Sequence, residues 1–244
     1  MAHFPYLNNK IVLGPYDLSG DMNSVTIART QEGLSDDTFS ASKTFKARIG
    51  GLGDGVIGMA GLIELTDDGQ DEILSTNISL SNIPILISFP GAADFDRCKF
   101  GKIQQGSYNR GGNVGQRAEW TAEGKISSYV LTDGNIMATG AKTTTFNGTA
   151  RQLGALSATQ KLYATLHATA KTTFTSAVFK VQSDDNSGFT TPTDRITFST
   201  VTGLTSEFAT PVSGAITDDW WRVICSSFTG TSLTIYIAVG IAGF

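Results

Sequence analysis

The sequence predicts a mainly β protein built from antiparallel strands with one short helix. Alternating apolar and polar residues recur along most of its 244 residues, and 27 glycines divide these runs into segments. Hydrophobic residues make up 40% of the chain and 14 are phenylalanines, which is enough apolar surface for a folded core. We interpret the chain as two consecutive domains, residues 1–128 and 129–244. The first is predicted to be an antiparallel β-sandwich or barrel that carries the helix, and the second a jelly-roll-like β-sandwich.

The first domain contains six predicted strands and the helix. The strands follow from alternation at 10–17, 22–30, 44–51, 56–65, 83–87 and 120–125. The glycine-rich residues 51–55 predict a tight turn or bulge between two of them. Residues 67–77 predict the helix, because Asp67 and Asp68 can cap it and acidic residues favour its first turn. Residues 104–116 are rich in glycine, asparagine and serine, which predicts a flexible loop or a hairpin arm.

The second domain alternates more regularly than the first. Residues 129–138 predict a hairpin that turns at Asp133 and Gly134. Further strands are predicted at 161–170, 177–181, 196–198, 221–225 and 233–241. The alternation in 161–170 predicts a half-buried strand. In 233–241, five apolar residues at every second position predict a core-facing side that includes Ile237. Tyr236 lies on the opposite face, which is either solvated or covered by the first domain or a neighbouring subunit.

Charge and cysteine content exclude several classes of protein. The formal net charge is -4 with a pI near 5.1, and no run of Lys or Arg forms the basic stripe that tight nucleic-acid binding requires. Cys98 and Cys225 are the only cysteines, so we expect two reduced, packed thiols rather than a disulfide framework. Residues 1–10 lack the regions of a secretory signal, and no apolar run approaches the roughly 18 residues of a membrane span. We therefore expect synthesis in a cytosol and no membrane partner.

The acidic segment Asp184-Asp185-Asn186-Ser187-Gly188 is a candidate calcium site, because calcium prefers several oxygen donors. The segment lacks the alternating acids and the distal glutamate of an EF-hand. Asp, Asn and Gly are also the residues that form hairpin turns. We therefore favour a hairpin loop over a metal site.

Two adjacent tryptophans, Trp220 and Trp221, offer aromatic faces that could pack on a sugar ring. Neighbouring residues in a strand point to opposite faces, so one of the two must lie in a core. Arg222 shares the face of Trp220. We favour a core position for one ring and a contact between subunits for the other.

Residues able to perform catalysis are scarce. His167 lies in a predicted strand on the polar face with Tyr163 and Thr165, and no nucleophile motif accompanies it, so we expect a structural or surface role. Paired carboxylates fall in turn-like contexts and predict capping or solvation at Asp36-Asp37, Asp67-Asp68 and Asp218-Asp219. The phosphate-binding, dinucleotide and zinc-protease motifs do not occur. We therefore predict no catalytic, cofactor-binding or metal-ligating residue and no enzyme activity.

The segment YDLSGDMNSVTIARTQEGLSDDTF, residues 16–39, resembles the opening of the major tail proteins, the tail tube subunits of long-tailed bacteriophages. Those proteins often begin with a DLSG-type strand and turn, followed by a segment of acidic residues, threonine and phenylalanine. Residues 50–52 and the acidic helix at Asp67 continue this pattern. Later segments look like parts of phage structural proteins: LGALSATQKLYATLHATA, VQSDDNSGF, DRITF and GAITDDWWRV. The resemblance assigns no functional residue, because such proteins act through a surface.

The resemblance implies a tail-tube-like first domain, a β barrel or sandwich with a flanking helix and long pairing arms. Residues 104–116 and 35–45 suit arms that order on assembly. It also implies a homo-oligomer, commonly hexameric rings that stack with other tail proteins around a channel for DNA. An acidic lumen repels phosphates, so DNA passes without sticking. Such a protein is made in the cytoplasm of the host bacterium and resides in the virion.

Two other functions remain open from the sequence. A capsid decoration protein would also be β-rich, poor in cysteine and symmetric. A carbohydrate-binding or receptor-binding β module would use the aromatic side chains of Trp220, Trp221, Tyr163 and Tyr236.

Overall fold

A computed structural model describes residues 9–20, 22–36, 47–64, 70–78, 80–127 and 131–243 of the chain. These residues form a 15-stranded antiparallel sheet and one helix, which confirms the mainly β prediction. The elements are β1 (Lys10–Leu13), β2 (Tyr16–Asp17), β3 (Met22–Asp36), β4 (Ala47–Leu62), α1 (Gln70–Thr76), β5 (Ile83–Ser88), β6 (Arg97–Gly111), β7 (Glu119–Ile126), β8 (Thr132–Lys142), β9 (Phe146–Asn147), β10 (Arg151–Gln152), β11 (Gln160–Asp184), β12 (Thr193–Thr197), β13 (Thr205–Phe208), β14 (Val212–Ser213) and β15 (Trp220–Gly243). The described helix is too short to cross a membrane.

The chain divides into two compact units that do not follow the predicted boundary after residue 128. Unit 1 comprises Met1–Gly20, Asn82–Ile103 and Ser127–Phe244, and unit 2 comprises Asp21–Ser81 and Gln104–Ile126. The reason lies in strand pairing. β1 pairs with β5, β5 pairs with β6, and the first residues of β6 pair with β8. Strands from the first half of the sequence therefore belong to the sheet formed by the second half.

In unit 1 the strand order is β12-β11-β15-β8-β6-β5-β1-β2. β11 and β15 pair along their whole length, from Gln160 opposite Gly243 to Asp184 opposite Trp220, with three register shifts. The separate strands predicted at 161–170 and 177–181 are therefore parts of β11, and those at 221–225 and 233–241 are parts of β15. The threonines and serines between these segments also pair across β11 and β15, so each of the two strands is continuous.

Residues 162–168 of β11 and 235–240 of β15 are buried on both faces, so the prediction of a half-buried strand at 161–170 is wrong. One face carries Leu162, Leu166 and Ile237 into the larger core cluster. The other face carries Tyr163 and Tyr236 into a second cluster, completed by side chains of β1, β5, β6 and β13: Val12, Leu86, Phe100 and Phe208. Tyr236 is only 7% exposed, so the face opposite Ile237 is covered and not solvated.

β8 is a continuous strand where a hairpin was predicted over 129–138; residues 129 and 130 lie outside the described residues. Asp133 and Gly134 pair with β6 rather than forming a turn. A Cβ atom at Gly134 would lie 2.4 Å from the Val239 carbonyl oxygen and 2.6 Å from a ring carbon of Phe100. Glycine is therefore required here for close packing.

At residues 10–17 the sequence predicts one strand, but the structure has a hairpin. Its two strands are β1 and β2, and the chain turns at Gly14.

We expect Gly134→Ala to destabilise the protein by about 2 kcal/mol, because an added methyl group in a packed core forces its neighbours to shift. Gly111→Ala is the matched control, since nothing lies within 4 Å of a Cβ built there. The control should be neutral or slightly stabilising, because alanine restricts the unfolded chain. Urea unfolding of both variants measures the difference. Equal free energies of unfolding would show that the sheet relaxes around the new methyl group.

Unit 2 is a four-stranded sheet in the order β3-β4-β7-β6, accompanied by α1. The glycine-rich residues 51–55 form no turn but contain the predicted bulge: Gln31 pairs with Gly53 and Gly33 with Gly50, so the register of β3 and β4 shifts between them. Residues 104–111 form the end of β6 rather than a loop, so 104–116 is the hairpin that was the alternative prediction. The predicted helix is confirmed over residues 70–76, whereas its predicted caps, Asp67 and Asp68, lie outside the described residues.

Candidate assembly surface

β3 forms a long strand with one unpaired edge. It runs for 15 residues and, within the described ranges, pairs with β4 alone. Ser24, Thr26 and Ala28 are exposed, and Val25 and Ile27 are half-buried. Such a strand presents a row of free backbone N–H and C=O groups, which is a template for pairing with another chain.

The strands that end the order in unit 1 are blunted by contrast. β12 has five residues, and its Asp194 and Arg195 form ion pairs with Lys180 at 2.6 Å and Asp218 at 2.9 Å. β2 has two residues, and its Asp17 pairs with Lys10. Short length and charge are devices that prevent an edge from pairing with another chain. β3 combines greater length with uncharged residues at 22–28.

One face of the unit 2 sheet is open and lined by small or polar side chains. The register aligns Thr26 of β3, Gly58 of β4 and Glu123 of β7 in one row across the sheet. Neighbouring rows place Ala28 beside Val56 and Lys125, and Ser24 beside Ala60 and Thr121. The residues of β3 and β7 on this face are exposed. The face is therefore flat and available to solvent or a partner.

The opposite face carries the apolar side chains and α1. Trp120 is buried, and its Nε1 donates to the Leu62 carbonyl and the Gln70 Oε1, both at 3.0 Å. The Nε2 of Gln105 donates to the Leu74 carbonyl at 2.5 Å, which satisfies an orphan carbonyl at the end of the helix.

Asp71 fixes the start of α1 to β6. The Tyr108 hydroxyl donates to one carboxylate oxygen, and the Arg110 Nη1 donates to the other at 3.0 Å. Burial and the hydrogen bond to Asp71 raise the pKa of Tyr108, so the phenol stays protonated. The helix is thereby held against one face of the sheet.

The β6–β7 hairpin ends in a turn with an exposed apolar residue at its tip. The Gln116 amide donates to the Asn113 carbonyl at 2.9 Å, and Gly115 takes a φ of +83° that glycine adopts without strain. Val114 between them is fully exposed. An isolated apolar side chain at a hairpin tip suits insertion into a neighbouring surface. The other predicted arm, 35–45, lies outside the described residues from 37 onwards.

The acidic segment 184–188 is organised by hydrogen bonds from the chain. The Thr191 amide donates to one carboxylate oxygen of Asp184 at 2.9 Å, and the Asn186 Nδ2 donates to the other at 3.0 Å. Burial acts to raise the pKa of Asp184, but these hydrogen bonds lower it below its ordinary value. Gly188 donates its amide to the Asn186 side chain at 2.9 Å. The geometry is that of the favoured hairpin loop.

Trp220 and Trp221 point to opposite sides, as strand geometry requires. Trp221 is fully buried in the larger core and donates its Nε1 to the Gly154 carbonyl at 2.9 Å. Trp220 is half-buried. Trp221, Tyr163 and Tyr236 are buried, so they do not form the sugar-stacking surface that the sequence left open.

His167 is a core residue, not a surface one. Its Nδ1 lies 2.7 Å from the Gly14 carbonyl oxygen, and its Nε2 lies 3.1 Å from the Thr165 hydroxyl. A carbonyl only accepts, so Nδ1 carries the proton. Nε2 of the neutral ring faces the Thr165 hydroxyl, whose single hydrogen is shared between Nε2 and the Glu207 carbonyl oxygen at 3.1 Å. Burial lowers the pKa of His167 to about 4, although the bond to Gly14 acts in the opposite direction. His167 therefore joins the β1–β2 turn to β11. No sequence signal near His167 predicted its buried partner, which lies 153 residues away.

We expect the protein to lose stability as the pH falls from about 6.5 to about 4. In this window the unfolded chain binds a proton at His167 that the folded chain excludes, so the free energy of unfolding rises with pH. The full shift of the pKa corresponds to about 3 kcal/mol. Urea unfolding at several pH values measures the slope, and His167→Gln should flatten it. Parallel slopes in both proteins would rule out His167 as the titrating group.

The paired acids and the cysteines have structural roles where they are described. The Asp218 carboxylate accepts from Ser183 at 2.6 Å and from Arg195 at 2.9 Å, and the hydrogen bond from Ser183 and the nearby Arg195 lower its pKa. Asp219 accepts from the Gln152 side chain. Both cysteines are buried free thiols, as predicted, and burial raises the pKa of each. The side chain of Asp36 and the whole of Asp37 lie outside the described residues.

No family model matches the chain. No curated protein matches it either. Three solved structures show similarity at low identity. The virion of a native gene transfer agent particle has a TM-score of 0.43 and 14% identity, with 52% of this chain and 96% of the other covered. The tail of an empty gene transfer agent particle, described with C6 symmetry, has a TM-score of 0.40 and 14% identity. The match covers 53% of this chain and 96% of the other.

The third structure is the Dit protein of SPP1, described as a hub adsorption apparatus in phages that infect Gram-positive bacteria. Its TM-score is 0.38 and its identity 11%, with 96% of this chain and 99% of the other covered. The three descriptions name a virion, a tail and an adsorption apparatus.

Proposed function

We propose that the chain is a structural subunit of a phage-type tail, which associates with copies of itself through the free edge of β3. The observation that carries the proposal is the contrast between this long edge, which has no partner strand among the described residues, and the short, charged edges of unit 1. Residues 16–39, which resemble the opening of tail tube proteins, are also the residues that lead into and form β3. The resemblance and the pairing edge therefore coincide in sequence.

In this proposal the subunits form stacked rings, of which six-membered ones are the commonest in the resembled family, and join other tail proteins in the virion. The open face of unit 2 suits the channel side, because its side chains are mostly small or polar and its β7 row carries Glu119 and Glu123 against the single cation Lys125. The net charge of -4 also disfavours adhesion to DNA phosphates.

The proposed role is structural and not enzymatic. His167 is buried and hydrogen-bonded, and Asp184 and Asp218 are engaged by amides, a hydroxyl and a guanidinium. Side chains engaged in this way are not free to bind and activate a substrate. We expect glycan and nucleic-acid substrates to remain intact when they are incubated with the purified protein.

We expect Ala28→Lys to weaken self-association by at least about tenfold, because a lysine on an edge strand opposes pairing of that edge with another chain. Thr121→Lys is the matched control, since it adds the same charge to the same face on the inner strand β7. Analytical ultracentrifugation measures the association, and electron microscopy of the same samples shows whether rings or tubes form. Both variants should retain the melting temperature of the unchanged protein.

Assembly by Ala28→Lys as efficient as that of Thr121→Lys would contradict the β3 interface. Micrographs also separate the proposal from the capsid decoration alternative. Rings or tubes support a tail subunit, whereas monomers or trimers that bind capsids would overturn the proposal.

A further inference from the structure

A cleft of about 290 Å³ opens in unit 1, between the end of β8, the segment around β9 and the loop that precedes β6. Its apolar floor includes Met137, Ala138 and Phe146, and its walls carry Asp94, Lys142, Asn147 and three threonines. None of these residues belongs to the β3 edge or to the open face of unit 2. The cleft is therefore separate from the proposed assembly surface.

The polar side chains of this cleft are not used by the fold. Within the described ranges, the side chains of Asp94 and Asn147 make no hydrogen bond or ion pair with the rest of the chain. Asp94 is unusual in this respect, because the other described aspartates of unit 1 each have a partner, as Asp184, Asp194 and Asp218 do. The hydroxyl groups of Thr143, Thr144 and Thr149 are likewise unengaged among the described residues.

The apolar floor is fixed by the core below it. The Phe146 ring packs against Phe179 with 6.4 Å between ring centroids, and the Gly148 amide donates to the Val223 carbonyl at 2.8 Å. The Lys142 Nζ lies 4.9 Å from the centroid of the Phe146 ring. The segment that forms the wall is thus anchored to β15, which preorganises the cleft.

The cleft carries one charge of each sign, Asp94 and Lys142. It therefore has no net attraction for an anion or for a cation. The carboxylate accepts hydrogen bonds, the ammonium donates them, and the amide and hydroxyl groups do both. A neutral ligand with several hydroxyl groups and an apolar face matches this arrangement, and the volume lies at the small end of ligand pockets.

We propose that this cleft binds one ring of a neutral sugar, with Asp94 and Asn147 holding its hydroxyl groups and the floor at Phe146 packing against its C–H face. The site differs from the tryptophan and tyrosine surface considered from the sequence, because three of those four rings are buried. The proposal goes beyond assembly, and it stands or fails independently of the β3 interface.

Saturation-transfer NMR on the full chain tests the site with glucose, galactose and N-acetylglucosamine at millimolar concentration. Glucuronate and glucosamine serve as matched charged probes. We expect at least one neutral sugar to bind more tightly than its charged counterparts. Asn147→Ala and Asp94→Asn should each weaken that binding about tenfold, because each removes or alters a hydrogen bond to a hydroxyl group.

Asn113→Ala is the control variant, since it removes an exposed asparagine from the β6–β7 turn, outside the cleft. It should bind sugar as the unchanged protein does. Circular dichroism checks that all three variants are folded. Absence of binding by every neutral sugar, tighter binding of a charged probe, or equal binding by Asn147→Ala and Asn113→Ala would each overturn the proposal.

Discussion

Ile237→Asp should destabilise the protein by at least about 4 kcal/mol, and Tyr236→Asp, its neighbour on the other face of β15, by about 2–3 kcal/mol. Ile237 is fully buried in the larger core, so the substitution removes apolar contacts and buries a carboxylate without a partner. Tyr236 lies in the second cluster with Val12 and Phe100. The smaller expected effect at Tyr236 follows from Lys10, whose Nζ lies 5.0 Å from the ring centroid and can partly offset a new carboxylate.

Urea unfolding at neutral pH measures both effects, with Thr231→Asp as the control on an exposed part of the same strand. The control should change the free energy of unfolding by less than about 0.5 kcal/mol. Where an aspartate variant does not fold, Ile237→Ala and Tyr236→Ala can be compared with the control instead. Each should lower the free energy of unfolding by about 3 kcal/mol. A Tyr236 variant as stable as the control would show that the second cluster does not form.

The fragment 129–244, expressed alone, should be far less stable than unit 1 and prone to aggregation. Without β1, β5 and β6, the second cluster loses Val12, Leu86 and Phe100, and the paired edge of β8 becomes free. An exposed apolar face together with a free strand edge favours association between copies. This expectation replaces the independent folding that the division at residue 128 implied.

A chain that retains 1–20, 82–103 and 127–244 is the matched comparison. Residues 103 and 127 can be joined by a short linker, because the Ser127 amide already donates to the Lys102 carbonyl at 2.8 Å. A glycine-serine linker joins residues 20 and 82. We expect one cooperative thermal transition from this chain and none from 129–244. A cooperative transition of the short fragment at the same temperature would restore the sequential division.

Period-two alternation predicted those strands whose burial differs between their two faces. It placed β7 correctly, because the buried Trp120 and Ala122 alternate with the exposed Thr121 and Glu123. It identified only the ends of β11 and β15. Their middle residues are threonines and serines that remain exposed and paired with each other, so their sequence reads as a break between strands.

The other differences between the predicted and the observed structure arise where a residue contacts partners that lie far away in the sequence. Gly134 follows an aspartate, a pair typical of turns, yet its role is set by Val239 and Phe100. His167 alternates with apolar residues as a surface histidine would, but β1 and its turn cover it. No local pattern could predict the open cleft either, since Asp94 comes from the loop before β6 and Asn147 comes from β9.

The position of β15 in the sheet has a consequence for how the protein folds. β15 lies between β11 and β8, with β9 and β10 also paired to it, yet it is synthesised after the other fourteen strands. On the ribosome, β8 and the 25 residues of β11 are therefore made long before their common partner. Long-range pairing of this kind slows folding and leaves apolar strands unprotected in the nascent chain. The sheet of unit 1 can therefore close only after β15 has been synthesised.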